Sequence, residues 1–195
     1  MAQPFFSERL FYRLIDPDQD LPFFQKLQAD PVALRNSNPR LARPASKKDA
    51  EDYMVGVSNG LLGVIICLPA CPSPDADAPN LHPTPIGAIH LSPLSAKLAH
   101  HRYTTIGISI HGDYQGQGYG SEAIRWVLRW AFDTAGVHRV GINVFEYNDG
   151  ARRLYEKLGF KQEGVVREHW WHEGRWWDDV QFGMLESEWR DLQKR

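Results

Sequence analysis

The stretch 115–136, QGQGYGSEAIRWVLRWAFDTAG, places a glycine-rich turn directly before the most regular helical pattern in the chain. Its apolar residues recur at helical spacing, and Gly136 follows them as a helix stop. Ahead of the turn, 104–111 (TTIGISIH) places isoleucine at every second position, which is typical of a strand. This order of strand, glycine turn and helix predicts a helix start whose backbone N–H groups can hold a phosphate.

The two common nucleotide-binding motifs do not fit this turn. A P-loop requires a lysine followed by serine or threonine, and 115–121 contains no lysine. A dinucleotide-binding turn would have glycine where Ser121 stands, and it normally follows the first strand of a βαβ series. A nucleotide-binding protein is therefore disfavoured.

Strands and helices are predicted on both sides of the glycine turn. The predicted strands are Glu8–Ile15, Leu61–Leu68, Ile86–Ser92, Thr104–His111, Arg139–Phe145, Val165–Trp171 and Arg175–Leu185. The predicted helices begin at Pro17, at Ser46 (to Val57), at Ser121 (to Ala135) and at Asn148. No internal repeat or second domain is visible, so we predict one α/β (α+β) domain over 1–195, with a mixed, mainly antiparallel sheet flanked by helices.

A proline-rich segment, 69–85 (PACPSPDADAPNLHPTP), interrupts this pattern. Its turn-forming residues predict a long exposed loop. The loop could be a lid over a functional site or a disordered insertion, and the sequence leaves both open.

Composition excludes several classes of protein. The 195 residues carry 22 Lys and Arg against 24 Asp and Glu, and this near-neutral balance disfavours a dedicated nucleic-acid binder. The apolar run 60–71 is too short for a membrane span, which needs about 20 residues, and the amino terminus lacks a secretion signal pattern. Cys67 and Cys71 form neither a disulfide framework nor a zinc motif. We predict a cytoplasmic protein without a metal site, a nucleic-acid partner or a membrane partner.

Two sequence blocks resemble the GCN5-related N-acetyltransferase (GNAT) family. Gln115, Gly118 and Gly120 match its Gln/Arg-x-x-Gly-x-Gly/Ala signature at a strand-to-helix junction. A second block matches Asn-x-x-Ala-x-x-x-Tyr-x-Lys/Arg-x-Gly-Phe, with Asn148, Ala151, Tyr155, Lys157, Gly159 and Phe160. The hairpin sequence at 165–185 (VVREHWWHEGRWWDDVQFGML) resembles the subgroup that modifies ribosomal-protein N-termini, spermidine and certain antibiotics. The resemblance is clear over Ile86–Leu185 and looser before it.

The resemblance implies an acetyl-CoA-dependent N-acetyltransferase in which a primary amine attacks the thioester directly. The amine would belong to a small molecule or a peptide, and a homodimer is possible. The family's central strands splay at a bulge, where strand backbone pairs with the pantetheine arm. The implied coenzyme-binding residues are Ile108, Ile110, His111, Gln115, Gly116, Gln117, Gly118, Tyr119, Gly120, Ser121, Asn148, Ala151 and Lys157, with the pyrophosphate over the glycine turn. Asn148 is equally explained as a helix N-cap.

Tyr155 is the implied general acid, because a neutral tyrosine can protonate a departing thiolate. The alternative is that it only completes the apolar stripe of its helix. No general base is evident, since Thr105 and Asn143 stand where relatives carry a glutamate. A water chain or one of four histidines could serve: His90, His101, His111 or His169. This gap keeps a second hypothesis open, a catalytically silent acyl-CoA-binding or regulatory module.

The final hairpin carries four tryptophans in two adjacent pairs, Trp170–Trp171 and Trp176–Trp177. Neighbouring strand residues point to opposite faces, so each pair should direct one ring inward and one outward. The outward rings suggest an acceptor pocket or a dimer surface. Four nearby carboxylates, Glu168, Glu173, Asp178 and Asp179, would suit a cationic amine or form a solvated edge.

Overall fold

The fold is built on a seven-stranded sheet. The computed structural model describes residues 5–41, 43–70 and 83–194. The strands are β1 (Phe11–Arg13), β2 (Leu62–Leu68), β3 (Thr84–Leu91), β4 (Tyr103–Ile110), β5 (Arg139–Phe145), β6 (Lys161–His172) and β7 (Arg175–Leu185). The helices are α1 (Pro17–Ala29), α2 (Pro31–Ser37), α3 (Lys47–Ser58), α4 (Tyr119–Arg129), α5 (Asp149–Leu158) and α6 (Glu186–Leu192). A π-helical turn, Trp130–Thr134, extends α4.

The strand order is β1-β2-β3-β4-β5-β7-β6, and every adjacent pair except β4 and β5 is antiparallel. The parallel pairing of β4 with β5 covers only Tyr103↔Arg139 to Thr105↔Gly141. Beyond Thr105 the two strands separate, although β4 continues to Ile110. The predicted mixed, mainly antiparallel sheet with splayed central strands is therefore confirmed.

The expected bulge in β4 is not found. The register between β3 and β4 runs from Gly87↔Ile110 to Leu91↔Ile106 without a shift. The splay therefore arises on the β5 side, where pairing simply ends.

Helices cover both faces of the sheet. In β2, successive buried side chains point alternately to one face and to the other. Val64 and Ile66 belong to one core cluster, which packs against α4, whereas Ile65 and Cys67 belong to the other. The second cluster packs against α1 and α3 through Phe24, Leu27, Ala50, Met54 and Val57. The sheet is thus the middle of three layers, and the splay opens between its two halves.

Most predicted elements are confirmed, with changes at their ends. The first strand is shorter than predicted because pairing with β2 covers only Phe11–Arg13. Two helices, α2 and α6, were missed. An Asp30 N-cap followed by Pro31 was an available signal for α2. The predicted loop ends sooner than expected, since β3 begins at Thr84, and residues 71–82, including Cys71, lie outside the described residues.

Candidate active site

The splay leaves part of the β4 backbone without a strand partner. His111 donates its N–H to the Ile86 carbonyl at 2.9 Å, and Ser92 donates to the Thr105 carbonyl at 2.9 Å. Since hydrogen-bonded pairs alternate in an antiparallel ladder, Ile108 and Ile110 direct their N–H and C=O groups away from β3, into the gap. The Ile110 carbonyl accepts a hydrogen bond from Gln115 Nε2 at 2.8 Å. The backbone of Ile108 and the N–H of Ile110 therefore remain available to an extended ligand.

The glycine turn ends in an exposed helix start. Gly118 is the N-cap of α4, and its φ of 85° lies in the left-handed region that favours glycine. Within the described residues, the backbone N–H groups of 116–121 donate no hydrogen bond to another residue. These donors and the positive end of the helix dipole together form a site suited to an anion.

A cavity of about 380 Å³ lies between this turn, the free edge of β4 and α5, and we call it the glycine-turn cavity. Eleven of the residues proposed from the sequence line it: Ile108, Ile110, Gln115, Gly116, Gly118, Tyr119, Gly120, Ser121, Asn148, Ala151 and Tyr155. Residues that lie up to 47 positions apart in the chain are thus brought to one site.

Three of the residues proposed as coenzyme ligands do not line this cavity. The N–H of His111 belongs to the sheet, as described above. The exposed Gln117 side chain turns back and donates to the Asp113 carbonyl at 2.9 Å. Lys157 is exposed because it lies two residues beyond Tyr155, which is about 200° around the helix. The structure therefore places the side chains of Gln117 and Lys157 outside this cavity, and the N–H of His111 pairs with Ile86 of β3.

The side chain of Asn148 holds the start of α5. Its Oδ1 accepts from the Ala151 N–H at 3.1 Å, as an N-cap, and its Nδ2 donates to the Asn36 carbonyl at 3.3 Å. The same side chain therefore joins α5 to α2 at the edge of the cavity.

Tyr155 lies where the glycine-turn cavity meets a second cavity. This second cavity, of about 410 Å³, lies between the separated strands β4 and β5, and we call it the splay cavity. Asn36, Ser37, Ile108 and Tyr155 line both cavities. Tyr155 is 6% exposed, and burial raises the pKa of its hydroxyl well above the ordinary value. No hydrogen bond to this hydroxyl is found among the described residues, so the group stays protonated and available as a donor.

Sequence reasoning missed two contributions to the site. Asn36 and Ser37 come from α2, which was not predicted. Arg9 comes from the amino-terminal segment, where Glu122 of α4 accepts its backbone N–H at 2.7 Å and its Nε at 2.9 Å. Arg9 Nη1 also donates to the Gln117 carbonyl at 3.1 Å, which ties the amino-terminal segment to the glycine turn.

Asp30 links α2 to the segment that follows β4. Its carboxylate accepts from the Val32 N–H at 2.9 Å, as the N-cap of α2, and from the Gly112 N–H. Burial raises the pKa of this carboxyl, but the N–H groups of Gly112, Val32 and Ala33 outweigh that effect and hold the pKa below its ordinary value. The ionised carboxylate thus fixes α2, with Asn36 and Ser37, against β4.

We expect Asp30→Ala to lower the free energy of unfolding by about 1–2 kcal/mol at neutral pH, because a cap and a buried acceptor are lost. Since the folded-state pKa is lowered, this contribution is complete above about pH 4 and is lost as the pH falls through the folded-state value. Urea titrations of both proteins between pH 7 and pH 3 measure the difference. A difference that stays constant over this range would contradict the assignment to an ionised carboxylate.

The splay cavity contains the carboxylate of Asp179, one of the four that the sequence analysis singled out in the hairpin. Thr105 and Asn143, which stand where relatives carry a glutamate, both line the splay cavity. Asn143 pairs with Gln181 of β7, so Asp179 is its diagonal neighbour on the same face of the sheet. Asn143 Nδ2 donates to Asp179 Oδ2 at 2.9 Å. A carboxylate is therefore present beside Asn143, supplied by a different strand.

The hairpin tryptophans divide as predicted, one inward and one outward in each pair. Trp170 lines the splay cavity, whereas Trp171 and Trp176 are 60% and 53% exposed and touch each other, with ring centres 5.2 Å apart. Trp177 is half-buried, and its Nε1 donates to the His172 carbonyl at 3.1 Å. The exposed pair lines a groove of about 920 Å³ between the hairpin and the segment that follows α2.

The four hairpin carboxylates have different partners. Glu173 lies 3.5 Å from Arg35, and Asp178 accepts the Glu168 N–H at 2.8 Å. Arg40 and Arg43 line the groove as well. Of the four carboxylates singled out in the sequence, Asp179 alone lines the splay cavity.

The four candidate histidines lie outside both cavities. His90 pairs with Gly107 on β4, where burial lowers its pKa, and its Nδ1 has no partner among the described residues. His169 lines the hairpin groove. None of the four therefore lines the cavities that meet at Tyr155.

Two features are absent from the described residues, 5–41, 43–70 and 83–194. These residues contain no cluster of three or more metal-ligating side chains. They also contain no helix that is both long enough and apolar enough to span a membrane.

Comparisons with known proteins agree with this geometry. The family model described as an acetyltransferase (GNAT) domain matches residues 9–161, which is more than half of the chain. The chain therefore belongs to the GNAT family, and the resemblance seen in the sequence is confirmed.

Among curated relatives, the chain is 36% identical to the uncharacterized N-acetyltransferase YoaA of Bacillus subtilis over 48% of this chain and 51% of that protein. It is 31% identical to spermidine N(1)-acetyltransferase of Vibrio cholerae over 45% of this chain and 50% of that protein. It is 30% identical to the ribosomal protein uS5 alanine N-acetyltransferase of Escherichia coli over 43% of each chain. The matched region thus spans about half the length of these relatives.

A solved structure of spermidine N-acetyltransferase from Vibrio cholerae, in complex with CoA and spermine, has the same fold. It aligns with a TM-score of 0.73 and 22% identity, over 94% of this chain and 99% of that one. This likeness confirms the predicted fold class.

Proposed function

We propose that this protein is an acetyl-CoA-dependent N-acetyltransferase that transfers an acetyl group to a primary amine by direct attack. The observation that carries the proposal is the meeting of two cavities at Tyr155, beside the unpaired edge of β4. A phosphate-bearing thioester fits the glycine-turn cavity, and the amine reaches the same point from the splay cavity.

The residues of the glycine-turn cavity would act mainly through their backbone. The N–H groups of 116–121 would bind the pyrophosphate of the coenzyme, and the guanidinium of Arg9, which is paired with Glu122, lies beside them. The open backbone of Ile108 and the N–H of Ile110 would pair with the pantetheine arm as a further strand. Asn148 and Gln115 would hold this surface in place through their own hydrogen bonds.

Tyr155 would give its proton to the sulfur as the carbon–sulfur bond breaks and the new carbon–nitrogen bond forms. The amine nitrogen loses a proton on becoming an amide, and this proton restores the tyrosine. Burial keeps the hydroxyl neutral until that step, since it raises the pKa. The acceptor is a small-molecule or peptide amine. It would enter through the hairpin groove, which shares Pro39 with the splay cavity.

The test is a turnover assay with acetyl-CoA and a panel of amines: spermidine, n-butylamine, a peptide that begins with alanine, and aniline. Release of free thiol that depends on the amine, with an acetylated product by mass spectrometry, is the expected result. Tight binding of acetyl-CoA without turnover of any amine would favour the catalytically silent module instead. The oligomeric state, with a homodimer as the prediction, is measured on the same preparation by sedimentation.

A further inference from the structure

Asp179 is a buried carboxylate without a counter-charge. It is 4% exposed, and its two oxygens accept from neutral donors, Trp170 Nε1 at 3.0 Å and Asn143 Nδ2 at 2.9 Å. No ion pair to Asp179 is found in the part of the chain that the structure describes. An ionised carboxylate in such surroundings is costly to bury unless a cation accompanies it.

The other charged groups of the splay cavity leave Asp179 uncompensated. The titratable and charged residues that line it are Tyr103, Arg139, Tyr155, Glu163 and Asp179. Arg139 is paired with Glu163, so its charge is already balanced. The cavity therefore carries one unbalanced negative charge, on the same lining as the Tyr155 hydroxyl.

We infer that Asp179 binds the acceptor as its ammonium ion and thereby makes the enzyme selective for cationic amines. The ammonium ion then releases one proton to solvent, and the neutral nitrogen attacks the thioester as described above. This inference rests on the proposed function and adds the chemical class of its acceptor. Asn143 and Trp170 are positioning residues here, because each holds one carboxylate oxygen in the cavity. The hydrogen bonds they donate also leave each oxygen a further lone pair, so the carboxylate can accept from an ammonium group as well.

The test compares Asp179→Asn with Asp178→Asn. Both substitutions remove one negative charge from β7, but Asp178 lies outside the linings of both cavities and holds the Glu168 N–H. We expect Asp179→Asn to raise KM for n-butylamine and spermidine by about 30-fold or more, as for loss of one partner of a buried charge pair. KM for aniline, which is uncharged at neutral pH, should change by less than about threefold, since no ammonium is involved. Asp178→Asn should leave both values unchanged.

Structural effects are separated by two further measurements. The affinity for acetyl-CoA, measured by calorimetry, should be the same in both variants, because Asp179 does not line the glycine-turn cavity. If Asp179→Asn proves unstable, Asp179→Glu replaces it: the charge is kept but displaced, so KM for n-butylamine should change while kcat does not. An unchanged KM in this variant would count against the inference.

The outcomes distinguish the two proposals. A wild-type enzyme that acetylates amines, combined with equal effects of Asp179→Asn on cationic and neutral amines, overturns the role of Asp179 and leaves the acetyltransferase proposal intact. A wild-type protein that acetylates no amine overturns the proposed function. In that case, calorimetric titration of n-butylamine decides the role of Asp179: binding lost in Asp179→Asn supports it, and no binding to the wild type overturns it.

Discussion

Replacing Gly118 with valine should weaken acetyl-CoA binding by about 100-fold or more, while the protein remains folded. Gly118 lines the glycine-turn cavity and caps α4 with a φ of 85°, a conformation that a β-branched residue strongly resists. A Cβ at this position would also lie 3.2 Å from Arg9 Nη2. The substitution would therefore fill the proposed phosphate site and disturb the N–H groups that form it. Calorimetric titration with acetyl-CoA measures the effect.

The matched control is Gly136→Val. Gly136 also has a positive φ, of 64°, but no heavy atom would lie within 4 Å of an added Cβ, and the residue stands beyond the opposite end of the α4 segment. Both variants should lose about 1–2 kcal/mol of stability from backbone strain, whereas Gly136→Val should bind acetyl-CoA as the wild type does. Similar affinities for the two variants would mean that the glycine turn does not hold the coenzyme.

Replacing Tyr155 with phenylalanine should lower kcat by about 10- to 10³-fold, the range expected when a positioned general acid is removed. The ring would keep its contacts with Phe160 and Phe182, whose ring centres lie 6.0 and 5.9 Å away. The hydroxyl has no hydrogen-bond partner among the described residues, so its loss should not reduce the free energy of unfolding. Single-turnover kinetics test the expected fall in rate, and thermal unfolding tests the expected unchanged stability.

Tyr147→Phe is a suitable comparison, because it removes a hydroxyl that lies outside both cavities. That hydroxyl donates to the Arg35 carbonyl at 2.8 Å, so its loss should cost about 1 kcal/mol of stability and leave kcat unchanged. If Tyr155→Phe turned over acetyl-CoA at the wild-type rate, Tyr155 would serve only as part of the apolar stripe of α5.

The sequence by itself determined the features that depend on near neighbours. The caps at Ser46 and Asn148, the helix stop at Gly159 and the left-handed turn at Gly118 all arise from residues within about four positions of each other. The alternation of Ile106, Ile108 and Ile110 likewise predicted β4, and the glycine turn after it predicted the anion site. These signals are strong because backbone dihedral preferences and helical periodicity act over one or two turns.

The tertiary structure alone decided which of these residues face the site. Lys157 and Tyr155 belong to the same motif, yet helix geometry directs one to solvent and the other to the cavities. His111 continues the β4 pattern, but its N–H donates a hydrogen bond to the Ile86 carbonyl of β3. Sequence spacing fixes the angle between Lys157 and Tyr155 around the helix, but the packing of whole elements against each other decides which of them faces the site.

Two contacts at the cavities join residues that are far apart in the chain. Asp179 lies 36 residues from Asn143 and meets it only because β7 inserts between β5 and β6. Arg9 reaches the glycine turn through Glu122, which lies 113 residues away in the chain. Local preferences carry no information about such contacts, whereas the strand order and the packing of α4 fix them. The sequence thus determined the strand, turn and helix of the proposed coenzyme site, and the register of the sheet decided which carboxylate lines the splay cavity.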